Sequence, residues 1–280
     1  MKINLYTTFY RPKNTLRFEE LKTALHNNLE LPSFDRVVVL LEDKTELPAG
    51  EAQENLELHQ VNGVPSFNDF LGVVNSRTGD SDRNIIANTD IYFDESIERL
   101  RRVDLRGKFF ALSRWNVLED GSAVLERRLN SQDTWIFEGP VQNVDADFKI
   151  GQWACDNRLA FLFAEAGFKV TNPALDLKTY HLHRVGFRAV RSTSAEHEVP
   201  GSKLMHLPVS STDPALIRWL KLLSGRYPLR LYFHSQAMFW GIRIYPALET
   251  VLGKKLVGKL RTGTKTIINK LRKPAAEEGQ

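Results

Sequence analysis

The sequence is poor in cysteine and in long apolar runs. Its 280 residues include one cysteine, Cys155, so a disulfide within the chain is excluded. A single cysteine fits a reducing compartment, where thiols stay free. No run approaches the roughly 20 apolar residues of a transmembrane helix. The first residues, MKINLYTTFYRPK, contain no long apolar stretch of the kind that signal peptides have. The sequence therefore predicts a chain without disulfides or membrane spans, and we expect it in the cytoplasm.

Most of the chain carries no net positive charge. The formal net charge is +4, but residues 251–273 hold eight Lys or Arg and no acidic residue. Residues 1–250 therefore carry a formal charge of −2. A body without a basic excess has no electrostatic reason to attract nucleic acid, and no nucleic-acid partner is expected.

Short β-rich runs alternate with helical patterns through the first 115 residues. The predicted strands are residues 2–9, 36–42, 54–61, 83–90 and 108–115. The predicted helices between them are residues 15–29, 66–74 and 94–103. This alternation predicts an α/β fold with a mostly parallel, Rossmann-like sheet and flanking helices. A strand at 133–141, a helix at 155–168, a strand at 176–185 and a helical extension after Asp213 follow.

The stretch NIIANTDIYFD places a polar triplet directly after a buried strand. Asn88, Thr89 and Asp90 follow the apolar run, and Asp94 comes four residues later. Ligands collect at the carboxyl ends of parallel strands, and carboxylate oxygens suit Mg²⁺ or Mn²⁺. Asp90 is therefore predicted to be either a metal ligand or a residue that only caps a turn. Asp94 precedes a good helix start, so we interpret it as a cap.

Five further residues have side chains suited to catalysis or ligand binding. His181 and His183 lie two apart on a predicted strand, so they share a face and are roughly 6.6 Å apart; structural hydrogen bonding is the alternative to metal binding. Asp156 begins a predicted helix, where the dipole favours the charged form that a general base needs; simple capping is the alternative. Asp133 lies close to Trp135, a combination that suits a sugar-binding surface; the alternative is that Trp135 belongs to the core. Arg114 could bind a phosphate or a carboxylate, and a surface ion pair is the alternative.

The order of these motifs carries more information than any one of them. TTFYRP follows the first strand, NTD lies near residue 90, CDNRLAF near 156, and KTYHLH follows it. In this order the sequence resembles the GT-A glycosyltransferases, which use nucleotide-sugar donors, over about residues 1 to 185. The combination of SQDTWIFEGP, CDNRLAF and KTYHLH looks like the bacterial polysaccharide type.

The resemblance implies a role for each motif. In that family an Asp-x-Asp triplet binds the metal and the donor diphosphate, and a downstream histidine completes the metal shell. Here that implies a divalent metal, Mn²⁺ or Mg²⁺, on Asp90 with His181 or His183. It implies a catalytic base at Asp156 or Asp133. The nucleotide-sugar-binding residues that it implies are Tyr6, Thr7, Thr8, Arg11, Asn88, Thr89, Asp90 and Arg114.

This sequence departs from the family pattern at two of these motifs. The triplet begins with Asn88 instead of an aspartate, so Asp90 would be the sole protein carboxylate on the metal. The base motif, often Glu-Asp in the family, is Cys155-Asp156 here. The choice of base between Asp156 and Asp133 therefore stays open.

The resemblance and the charge pattern together predict three segments. Residues 1–185 would form the GT-A-like catalytic domain, 186–250 a helical extension packed on it, and 251–280 a basic amphipathic tail. Such a tail is typical of binding to anionic membrane surfaces, so residues 251–273 would hold the protein at the inner face of the membrane near a lipid-linked or glycan acceptor. The alternatives are a solvated tail, a metal-dependent nucleotide phosphoesterase, and a non-catalytic carbohydrate- or nucleic-acid-binding module.

Overall fold

The computed structural model describes residues 1–43, 45–48, 53–126, 128, 131–182 and 198–201. The predicted helical extension, the basic tail and His183 lie outside the described residues, and so do the predicted boundaries at 185 and 250. Within the described part, no helix is long and apolar enough to cross a membrane.

The main sheet has seven strands in the order β10-β6-β9-β4-β1-β2-β3. Their bounds are β1 Ile3–Phe9, β2 Arg36–Glu42, β3 Leu56–Val61, β4 Arg83–Ala87, β6 Lys108–Leu112, β9 Thr134–Glu138 and β10 Lys169–Thr171. β1 pairs in parallel with β2 and β4, β2 with β3, and β6 with β10. β9 alone runs antiparallel, between β4 and β6. The predicted α/β fold with a mostly parallel sheet and flanking helices is confirmed.

Helices cover both faces of this sheet, which explains why the inner strand β2 contains the continuous apolar run VVVLL. The helix α1, Thr15–Glu30, packs Leu21, Leu25 and Leu29 into one core cluster. On the other face, α2 (Phe67–Asn75) and α3 (Cys155–Glu165) pack around Trp135 in a second cluster. Each side chain of a central strand is therefore buried on one face or the other.

A second sheet of four short strands adjoins the first, in the order β5-β11-β7-β8. Its bounds are β5 Ile91–Phe93, β7 Trp115–Val117, β8 Ala123–Leu125 and β11 Thr179–Leu182. β4 and β5 are separated only by Asn88, Thr89 and Asp90. Likewise, β6 and β7 are separated only by Ser113 and Arg114. Both polar turns therefore lie where the chain passes from one sheet to the other.

Two predicted elements take a different form in the structure. The predicted helix at 94–103 is a 3-10 helix, Glu95–Arg101, and Asp94 caps it by accepting the Ser96 N–H at 2.9 Å. The interpretation of Asp94 as a cap is therefore confirmed. The predicted strand at 108–115 ends at Leu112 and resumes as β7 in the second sheet.

Candidate functional site

Three chain segments meet at the carboxyl edge of the main sheet. β4 ends just before Asn88, and β6 ends two residues before Arg114. β9 runs the opposite way, so its beginning, next to Asp133, lies at the same edge. Backbone hydrogen bonds fix this arrangement: Asn88 N–H donates to the Asp133 carbonyl, and Asp133 N–H donates to the Leu112 carbonyl, both at 3.0 Å.

The carboxylate of Asp133 is held on both of its oxygens. Arg114 Nη1 lies 2.6 Å from Oδ2, and Asn88 Nδ2 donates to Oδ1 at 2.7 Å. The side chains of Arg114 and Asp133 are each 4% exposed. Burial acts to lower the pKa of Arg114, but the neighbouring Asp133 raises it above its ordinary value, so the guanidinium remains charged. Asp133 and Arg114 therefore form a fixed buried ion pair.

Asp156 lies in the first turn of α3 and has a different environment. Its Oδ2 accepts the Gln132 N–H at 3.0 Å, and its Oδ1 accepts the Asn157 N–H at 2.9 Å. Burial raises the pKa of Asp156 to about 6, and the negative charge of Asp133 adds to the shift. We expected the helix terminus to favour the charged form; burial outweighs that effect. A carboxyl group with this pKa exchanges protons readily near neutral pH.

The strand β1 brings only one of its three predicted residues to the edge in a polar contact. Thr8 Oγ1 lies 2.5 Å from Thr89 Oγ1, next to Asn88. The side chain of Tyr6 is fully buried in the core, and burial raises its pKa to about 12. Thr7 is also buried, on the opposite face of β1 from Tyr6. The burial of Tyr6 is at odds with the prediction that it lies near a nucleotide base.

Arg11 lies just before α1 and is exposed. Its guanidinium carbon lies 5.2 Å from the centre of the Phe18 ring, a cation–π arrangement. Its predicted role, contact with a donor phosphate, stays a prediction.

Asp90 contacts a second set of charged side chains. It is 4% exposed. Its Oδ2 lies 2.6 Å from Arg17 Nη2 and 3.0 Å from His181 Nε2. The other guanidinium nitrogen of Arg17, Nη1, lies 2.5 Å from Glu20. Asp90 thus belongs to an internal ion-pair cluster that joins α1, the β4–β5 turn and β11.

The described residues around Asp90 do not fit a divalent cation. Asp90 Oδ2 already contacts the Arg17 guanidinium. Two like unit charges about 4 Å apart repel by about 4 kcal/mol at an effective dielectric of 20, and a dication doubles that figure. Among the described residues, no three His, Cys, Asp or Glu side chains gather into a group that would hold a metal. The predicted metal ligands Asp90 and His181 contact each other, and Asp90 also contacts Arg17.

Sequence reasoning missed several residues of these clusters. Arg17 and Glu20 are three apart on a helix, which usually indicates a surface pair. Gln132 Oε1 accepts a hydrogen bond from Asn157 Nδ2 at 2.7 Å, and both residues are buried. The stretch SQDTWIF did contain a signal, since three polar residues precede an apolar run. Cys155 is buried, and burial raises the pKa of its thiol, so it is not a reactive thiolate.

Comparisons with known proteins give structural matches only. No family model and no curated protein match the chain. Galactosyltransferase LgtC, solved with donor and acceptor sugar analogues, matches with a TM-score of 0.30 and 13% identity, over 48% of this chain and 57% of that chain. The 4-diphosphocytidyl-2C-methyl-D-erythritol synthase of Anaerococcus prevotii matches with a TM-score of 0.36 and 10% identity, over 61% and 86%. TarS of S. aureus matches with a TM-score of 0.31 and 15% identity, over 47% and 24%.

One of these matched structures is a galactosyltransferase. All three TM-scores lie below 0.5, so no conclusion about this chain rests on these matches.

Proposed function

We propose that this chain is a glycosyltransferase that moves a sugar from a nucleoside-diphosphate donor to an acceptor hydroxyl, with Asp156 as the general base. The observation that carries the proposal is the cluster of Asp156, Asp133 and Arg114. In it, a carboxyl group with a pKa of about 6 lies beside a fixed ion pair. The cluster lies at the carboxyl edge of a mostly parallel sheet, where α/β proteins bind their ligands.

The environments of the two candidate bases support Asp156. Both oxygens of Asp133 are occupied by strong donors, Arg114 and Asn88, so taking up a proton would break contacts of a buried ion pair. Within the described part of the chain, the donors to the Asp156 oxygens are backbone N–H groups. A general base works best when its pKa lies near the working pH. We therefore assign proton transfer to Asp156, and to Asp133 the positioning of Asn88 and Arg114.

The reaction that follows is a direct displacement. The acceptor oxygen forms a bond to the anomeric carbon while the bond from that carbon to the diphosphate oxygen breaks. The bonding electrons leave with the nucleoside diphosphate. Positive charge builds on the sugar ring as in an oxocarbenium ion. Asp156 takes the proton of the acceptor hydroxyl, and a single displacement inverts the anomeric centre.

The nucleotide half of the donor lies, in this proposal, along the ends of β1 and β4. Thr8, Asn88 and Thr89 are the polar residues that the structure brings together there. The proposed mechanism uses no divalent metal on Asp90, because the surrounding residues do not fit one. The acceptor is a glycan or a lipid-linked sugar of a surface polysaccharide. Residues 251–273 hold the protein on anionic membrane, a part of the proposal that rests on sequence alone.

The direct test is a screen of nucleotide sugars for release of nucleoside diphosphate, with mixed glycan and lipid-linked acceptors. We expect one donor to be consumed. Asp156→Asn should lower kcat at least 100-fold. The donor should raise the melting temperature of this variant by nearly as much as it raises that of wild type. Asp147→Asn is the matched control, since Asp147 is an exposed carboxylate shortly before α3. Turnover that persists in Asp156→Asn would remove Asp156 as the base. If no nucleotide sugar is consumed or stabilises the wild-type protein, the transferase proposal is wrong.

A further inference from the structure

We propose that Arg17 takes the position on Asp90 that a divalent cation would take, so the Asn88-Thr89-Asp90 turn is built without a metal. Where the proposed function holds, donor use by this chain then needs no divalent cation at Asp90. The first statement concerns the protein alone, and only the second rests on the proposed function.

The first support is the geometry of the guanidinium. Arg17 lies between two buried carboxylates, with Nη1 2.5 Å from Glu20 and Nη2 2.6 Å from Asp90. The Glu20 and Asp90 side chains are only 1% and 5% exposed, while that of Arg17 is 23% exposed. Buried carboxylates need a cation, and a guanidinium satisfies two of them with its forked donors. The charge that a metal would supply is therefore already present.

The second support is the permanence of that charge. An arginine side chain is not deprotonated in proteins, so Arg17 remains a cation. A dication would have to enter beside it or displace it.

The third support is the pair of hydrogen bonds that join α1 to the second sheet. Asn28 Nδ2 donates to the Ile91 carbonyl at 2.8 Å, and Phe93 N–H donates to Asn28 Oδ1 at 3.2 Å. The helix is thereby joined to β5 by a buried amide, and to Asp90 through Arg17, on the same side. The backbone just after Asp90 is therefore held against the same helix from which Arg17 reaches the Asp90 carboxylate.

The triplet is consequently divided between two roles. Asn88 and Thr89 point their polar groups to Asp133 and Thr8 at the sheet edge. Asp90 points inward to Arg17 and His181. The sequence pattern of a metal-binding triplet is present, but its last member belongs to the interior of the protein.

Metal binding is tested on the full-length protein by titrating Mn²⁺ and following the free ion by electron paramagnetic resonance. We expect wild type and Asp90→Asn to give the same weak binding. One equivalent of Mn²⁺ that binds tightly to wild type and is lost in Asp90→Asn overturns the proposal. If Asp90→Asn fails to fold, the wild-type titration decides alone: a tight equivalent refutes the proposal, and its absence supports it.

The role of Arg17 is tested by a double-mutant cycle on thermal stability. We expect Arg17→Met to lower Tm by about 10 °C, because two buried carboxylates lose their cation. In the Arg17→Met/Asp90→Asn double variant, part of that loss is recovered, so the Tm losses are not additive. Arg101→Met is the control, an arginine in a more exposed ion pair with Asp35, and we expect it to lose only a degree or two. Strictly additive losses would show that Arg17 and Asp90 are not coupled.

The functional arm compares donor turnover in EDTA and in Mn²⁺. We expect kcat/KM in the two conditions to agree within about twofold. Activity that EDTA abolishes and Mn²⁺ restores, in wild type, refutes the metal-independent reading while leaving the transferase function intact. A lack of turnover with every donor counts against the proposed function, and the Mn²⁺ titration still decides the nature of the Asp90 site.

Discussion

Replacing Asp156 with asparagine should make the protein more stable at high pH while it removes the base. The pKa of Asp156 is raised from 3.8 to about 6, chiefly by burial. A shift of this size corresponds to about 3 kcal/mol of unfolding free energy that the charged side chain costs the folded state. Asparagine has no charge to desolvate. It keeps an oxygen for the Gln132 N–H but loses the bond from the Asn157 N–H, worth about 1 kcal/mol.

The sign of the effect changes with pH. Because the folded pKa is the higher one, the folded wild-type protein binds more protons than the unfolded chain between about pH 4 and pH 6. Its stability therefore falls as the pH rises through that window, and the full cost is present above pH 6. We expect Asp156→Asn to be about 2 kcal/mol more stable than wild type at pH 8. At pH 4 it should be about 1 kcal/mol less stable, because only the lost hydrogen bond remains.

Urea unfolding at pH 4, 5, 6, 7 and 8, followed by circular dichroism, measures this difference directly. Asp147→Asn serves again as the control and should follow wild type within about 0.5 kcal/mol at every pH. If the difference between Asp156→Asn and wild type has the same size at pH 5 and pH 8, the pKa of Asp156 is not raised. The argument for Asp156 as the base would then lose its basis.

Three further substitutions test parts of the structure by urea unfolding at pH 7. Ser66→Ala removes the capping box of α2 and should cost about 1 kcal/mol; no loss would mean that the cap is not formed in solution. Gly139→Ala should cost more than about 2 kcal/mol, since Gly139 has φ +66° and a Cβ atom would lie 2.7 Å from the Asp80 carbonyl oxygen; a neutral result would contradict this turn. Arg114→Met leaves Asp133 buried without its cation and should cost about 3–5 kcal/mol, whereas a loss below about 1 kcal/mol would show that the pair is solvated.

Sequence patterns located most of the main sheet because its strands and helices are long enough to show a period. The run RVVVLLE became the buried strand β2, and Ser66 capped α2 as expected. The strands of the second sheet were mostly missed, because β5, β7 and β8 have three residues each. The reversed direction of β9 was also not predicted, since alternation along a strand is the same in both directions.

The candidate site was only partly readable from the sequence for a similar reason. The sequence placed Asp90 at the end of a strand and Asp156 at the start of a helix, and both positions are found in the structure. It could not say which way a carboxylate at a strand tip turns. That direction depends on a partner far away in the chain: Arg17 for Asp90, and Arg114 for Asp133.

The reversed strand β9 also brings together two points that are distant in the chain. The chain leaves the main sheet after β6, forms β7 and β8, and returns at β9, where Leu112 and Thr134 are paired neighbours. The entry and exit of this excursion therefore lie side by side, and the Arg114–Asp133 ion pair joins them at its base. Because Leu112 and Thr134 are paired directly, the register between β6 and β9 does not depend on the length of chain that connects them. The excursion is nevertheless anchored to the rest of the fold, since β7 pairs with β11 and Gln132 donates its backbone N–H to Asp156. The loop that leaves the sheet at Arg114 and returns at Asp133 therefore couples the second sheet directly to the proposed base.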